Sequence, residues 1–96
     1  MNILGKRLRE LREEKGLLLR QIAADLEVDT ALMSKLERGE RRAQREHITQ
    51  LSSILNVQEK ELVILWLADK IKDLVRNEPL ALEALKFVEH DIKGNR

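Results

Sequence analysis

Residues 17–39 read LLLRQIAADLEVDTALMSKLERG, and the spacing within this stretch decides the fold. Leu19, Ile22, Ala23 and Leu26 recur at helical spacing, and further along Leu32, Met33 and Leu36 do the same. Asp29 or Thr30 offers a side-chain oxygen to cap the second segment, and Gly39 supplies a left-handed residue to end it. Two helices this short, joined by three or four residues, have to cross steeply, which is the geometry of a helix-turn-helix. Ala23 suits the place where two helix backbones come close, and Val28 can plug the angle between them.

Outward from this pair the pattern stays helical. Residues 2–15 place Leu4, Leu8 and Leu11 on one face, with charges elsewhere, and Gly16 ends that first helix. The helix-turn-helix segments themselves run over residues 18–26 and 30–38. A fourth helix is expected from about residue 47 to residue 56, with Ile48, Leu51, Ile54 and Leu55 as its buried face. Residues 59–76 read as one long helix that is apolar all round between Leu62 and Ala68, so it needs burial on more than one side. Pro79 starts a last helix, in which Leu82, Leu85, Val88 (or Phe87) and Ile92 form a second apolar stripe.

The run Gln21-Ile22-Ala23, then Val28-Asp29, then Met33-Ser34-Lys35-Leu36-Glu37-Arg38-Gly39 resembles the helix-turn-helix of the Cro/phage-repressor (XRE) family of transcription regulators. The resemblance covers roughly residues 4–62. It implies an all-α, lambda-repressor-like five-helix DNA-binding domain over residues 1–62, with a C-terminal helical extension over 63–96. It further implies that the third helix enters the major groove of double-stranded DNA, which is wide enough to admit a helix. The outward positions are then Thr30, Ala31, Ser34 and Lys35, of which Lys35 can donate to guanine O6 and N7. Arg38, Arg41, Arg42 and Arg45, in the loop after that helix, correspond to phosphate contacts, with Arg20 and Gln21 as further ones. The family's arginine in the first helix usually pairs with the glutamate that closes the third, which here are Arg12 and Glu37. Two departures stand out. Leu18-Leu19 replace the polar Ser-Gln that often opens the second helix, and Glu27 replaces the turn glycine.

Composition narrows the function from another side. A chain of 96 residues, 43% hydrophobic and 36% charged, makes one globular domain with little room for a catalytic cleft beside its core. Trp66 and Phe87 are its aromatic residues, too few for a base-stacking surface. The absence of cysteine excludes a disulfide scaffold and a zinc finger. His47 and His90 have no partners at chelating spacing, so no metal site and no cofactor are expected. There is no nucleophile constellation or glycine-rich phosphate loop, which argues against an enzyme. No signal peptide or membrane span is legible, and a cytoplasmic protein is expected. Net charge is only +1, with 11 basic against 9 acidic residues in 1–46 and 7 against 8 in 47–96. With so slight an excess, DNA binding has to depend on a few placed contacts.

The extension either folds back within one chain or forms a homodimer interface. The amount of apolar surface favours the dimer, with Leu65, Trp66, Ile71, Leu74, Leu82, Leu85, Val88 and Ile92 expected at the interface. The resulting expectation is a dimeric regulator on an inverted-repeat operator, resembling most an operon-linked controller. The alternative is a protein-interaction module, antitoxin-like, whose extension binds a partner protein.

Overall fold

Six helices and no strand make up residues 1–95, the part of the chain that the computed structural model describes: α1 (Ile3–Glu14), α2 (Leu19–Leu26), α3 (Thr30–Arg38), α4 (Arg45–Ile54), α5 (Glu59–Leu74) and α6 (Ala81–Gly94). The all-α fold expected from the spacing is the observed one. Each end has a local cause. Asn2 caps α1 by accepting from the Gly5 amide at 2.7 Å, and Asp29 caps α3 by accepting from the Leu32 amide at 2.7 Å. Gly16 and Gly39 follow α1 and α3 at φ +66° and +75°, where glycine carries no Cβ penalty. α4 begins earlier than the apolar pattern indicated, because His47 Nδ1 accepts from the Gln44 amide and fixes the first turn there. α5 stops short of residue 76, and the chain turns at Asn77 (φ +66°) before Pro79.

One core joins the first five helices. Leu8, Ile22, Met33, Ile48, Leu51, Leu55 and Leu62 are its fully buried large side chains. α1 packs on α3 and α5, α2 on α3 and α4, and α4 on α5. α1 and α3 meet where side chains leave room: a Cβ on Gly5 would lie 2.1 Å from the Glu37 carbonyl oxygen, so only glycine permits this approach.

The far part of α5 belongs to this core and not to the extension. Asp69 is buried, and its carboxylate accepts from the amides of Ile3 at 2.9 Å and Leu4 at 3.0 Å. An acid at a helix N-terminus answers both the orphan N–H groups and the helix dipole. Trp66 is also buried, its indole Nε1 donating to the Ala43 carbonyl at 2.7 Å. The boundary expected at residue 62 therefore falls inside a packed helix, and Trp66, expected at a dimer interface, fills the core of its own chain instead. Periodicity could not separate these roles, because the run around Trp66 is apolar on every face. Nor is α5 covered all round: Ile64 and Leu67 remain 55% and 44% exposed. α6 buries none of its residues against the rest of the described chain.

Gly5→Ala should destabilise the domain by about 1–3 kcal/mol, the usual cost of forcing extra atoms into a closed contact. Thermal or urea unfolding measures it, and a melting temperature equal to that of the unaltered chain would refute the close approach of α1 and α3.

Candidate nucleic-acid interface

α3 presents a short polar face. Thr30, Ala31 and Lys35 are exposed and Ser34 is half-buried, while Met33 and Leu36 point into the core and Leu32 packs at its edge. The turn before it is unusual. Glu27 takes the left-handed conformation at φ +61° and ψ +40°, and the amide of Val28 donates back to the Ala23 carbonyl at 3.0 Å. The turn thus keeps the geometry a glycine would give, at a backbone cost of about 1–2 kcal/mol for a residue with a Cβ. Leu18 cannot cap α2 with its own side chain, and its backbone carbonyl accepts from the Gln21 backbone N–H at 3.0 Å instead. Gln21 makes the reciprocal contact, its Oε1 accepting from the Leu18 amide at 2.6 Å. That leaves the Gln21 amide nitrogen and the exposed Arg20 on the surface at the opening of α2.

The other end of α3 is locked. Arg12 Nε and one terminal nitrogen donate to the two Glu37 oxygens at 2.7 and 3.2 Å, and its other terminal nitrogen donates to the Leu17 carbonyl at 3.0 Å. The side chains of Arg12 and Glu37 are 15% and 6% exposed. Hydrogen bonding to Glu37 raises the already high pKa of Arg12, so the guanidinium stays charged.

The arginines after α3 fall into two sets. Arg38 pairs with Glu40 and donates to Ser34 Oγ at 2.7 Å, and Arg42 pairs with Asp73 on α5. Asp73 also accepts from Arg76. Arg38 lowers the Glu40 pKa; Arg76 first and then Arg42 lower that of Asp73. Both pairs therefore persist at neutral pH and are lost only as pH falls through those lowered values. Arg41 and Arg45 have no carboxylate partner among the described residues. Arg41 is exposed, and the Arg45 guanidinium stands 5.7 Å from the centre of the Trp66 ring.

Thr30, Ala31, Ser34 and Lys35 therefore share one surface of α3, with Arg38, Arg41, Arg42 and Arg45 following in the loop and first turn of α4. Sequence reasoning missed Glu40 and Asp73 as the acids that occupy two of these arginines. Glu40 is adjacent and could have been found; Asp73 lies 31 residues from Arg42 and leaves no local signal. Of the residues assigned to an interface between copies, Ile71, Leu74, Leu82, Val88 and Ile92 are exposed, whereas Leu65 and Leu85 are half-buried. Ile64, Leu67 and Leu80 are further exposed apolar residues outside that assignment, and Phe87, the alternative to Val88 in the α6 stripe, is exposed as well.

A family model described as a helix-turn-helix domain matches residues 3–63, well over half of the chain. The chain belongs to this helix-turn-helix family. Its likeness to the Cro/phage-repressor regulators thus rests on the domain as well as on the short run from Gln21 to Gly39. Among solved structures, one of the clp gene regulator ClgR from Corynebacterium glutamicum is 28% identical, with a TM-score of 0.61, covering 70% of this chain and 87% of that one. A second structure of the same regulator covers 95% of this chain and 86% of its own at 24% identity and a TM-score of 0.63; at that identity it speaks for the fold, extension included. No curated protein matches the chain. Among the described residues no helix is long and apolar enough to cross a membrane.

Glu37→Ala should cost about 3–5 kcal/mol of folding stability, because it leaves the Arg12 guanidinium largely buried without its counter-charge. Urea titration followed by circular dichroism checks this; a loss below about 1 kcal/mol would place the pair among weak surface contacts.

Proposed function

We propose that the chain is a sequence-specific, double-stranded-DNA-binding transcription regulator that acts as a homodimer on an inverted repeat, with α3 in the major groove. The observation that carries the reading is the surface of α3: a capped, rigid helix whose outward side chains adjoin a run of exposed arginines. Membership of the helix-turn-helix family and the likeness to a protein named as a gene regulator point the same way. Lys35 is the side chain suited to guanine O6 and N7, Thr30 and Ala31 to a thymine methyl or a phosphate. Arg41 and Arg45 are ready phosphate ligands. Arg38 and Arg42 join them by exchanging an exposed carboxylate for a phosphate, since such exposed pairs are held weakly. Arg20 and Gln21 contact the backbone at the other edge of the groove.

The dimer reading is supported by the uncovered apolar residues of α5 and α6. A 14-residue helix with no buried side chain is marginal alone in water, so α6 calls for a partner surface. In a two-fold dimer the Ile71 and Leu74 side of α5 and the Leu82, Leu85, Val88 and Ile92 stripe of α6 provide it. Two recognition helices then read half-sites about 34 Å apart, one turn of DNA. Occupancy of a promoter site blocks or recruits polymerase, and dimerisation makes that occupancy steep in protein concentration. The same uncovered stripe favours one alternative, an antitoxin-like module in which a different protein covers α6.

Selection from a random duplex pool should enrich an inverted repeat, and binding should weaken steeply with salt. Arg41→Glu combined with Arg42→Glu should reduce duplex affinity by about two orders of magnitude or more without altering helical content. Enrichment of no sequence would shift the function to the interaction module. Leu85→Asp with Val88→Asp should convert dimer to monomer in sedimentation and flatten the binding curve. An unaltered sedimentation profile would remove α6 from the dimer interface.

A further inference from the structure

Lys70 and Arg45 come from different helices and meet on one side chain. The Lys70 ammonium lies 3.6 Å from the centre of the Trp66 ring and the Arg45 guanidinium 5.7 Å from it. The ring is fixed, because its Nε1 donates to the Ala43 carbonyl in a buried hydrogen bond. Each cation gains a cation–π attraction from the one indole. Neither has a carboxylate partner among the described residues. The acids of α5 nearest in sequence are already committed: Asp69 is buried on the amides of α1, and Asp73 holds Arg42 and Arg76. Two exposed cations without an acid partner, one in the first turn of α4 and one on α5, both beside a fixed aromatic ring, are open to a bound anion.

We propose that Arg45 and Lys70, held against the Trp66 ring, form a phosphodiester-binding site that carries the DNA backbone contact from the loop after α3 onto α5. This rests on the duplex-binding reading above. The nearness of both cations to one ring lets them address one phosphate or two consecutive phosphates of the same strand. Phosphate contacts of this kind add affinity and orientation but no base preference. Trp66 is then the residue that sets the spacing of two contacts, which accounts for an aromatic ring packed beside the basic loop of a chain with a single tryptophan.

The test is the salt dependence of binding to two duplexes, the selected operator and a scrambled sequence of equal length. Lys70→Gln and Arg45→Gln should each lower the slope of log affinity against log salt by about 0.9, equally on both duplexes. Lys70→Arg should restore the slope. Lys60→Gln, the same charge change near the other end of α5, should leave it unaltered. A Lys70→Gln slope equal to that of the unaltered chain overturns the site. So does an equal loss in Lys60→Gln, which would mark a general effect of net charge. If the unaltered chain binds neither duplex, the duplex-binding reading itself fails; slopes that differ only among the variants concern this site alone.

Discussion

The Glu37 carboxylate lies in the last turn of α3, where the helix dipole already disfavours a negative charge, and it is buried as well. Such a group is tolerable only with a fixed cation, and Arg12 provides one through two hydrogen bonds, while its third bond secures the Leu17 carbonyl. One guanidinium thereby ties α1, the entry to α2 and the end of α3 to one another. The direction of α3 follows from it. The backbone contact at Gly5 then sets the distance between α1 and α3, and Asp69 sets α1 against α5. Together with the burial of Met33 and Leu36, the contacts at Arg12 and Gly5 position the exposed surface of α3, and none of them lies on that surface.

Charge is distributed with comparable economy. A net charge of +1 gives little general attraction to a polyanion. What the fold supplies instead is local concentration, with four arginines between the end of α3 and the start of α4. Two of the four are held by carboxylates, one from the same loop and one from α5. That arrangement lowers the attraction for arbitrary polyanions, because a phosphate has to displace an acid before it gains an arginine. The exposed pair of Arg42 with Asp73 also links the loop after α3 to α5, the helix that carries exposed Ile71 and Leu74.

Legibility from sequence followed the range of the interactions involved. α3 could be placed to the residue because its cap, its apolar spacing and its closing glycine are all local signals. The start of α4 was missed by two positions, since a His47 ring nitrogen bonded to the Gln44 amide leaves no trace in apolar periodicity. Arg12 and Glu37 were singled out by resemblance, as spacing alone does not bring residues 25 apart together. The roles of Trp66 and Asp69 were hidden for a different reason. An all-round apolar helix does not reveal which face meets its own domain, and a buried aspartate looks like any surface charge until the amides of Ile3 and Leu4 are placed beside it.

Asp69 joins residues that are made far apart in time. As the chain leaves the ribosome, α1 to α4 can gather their apolar faces early, but the first turn of α1 keeps two orphan amides until Asp69 arrives. The N-terminus of α1 therefore has its full set of partners only when residue 69 is present, and a chain ending before that residue would leave those two amides to water.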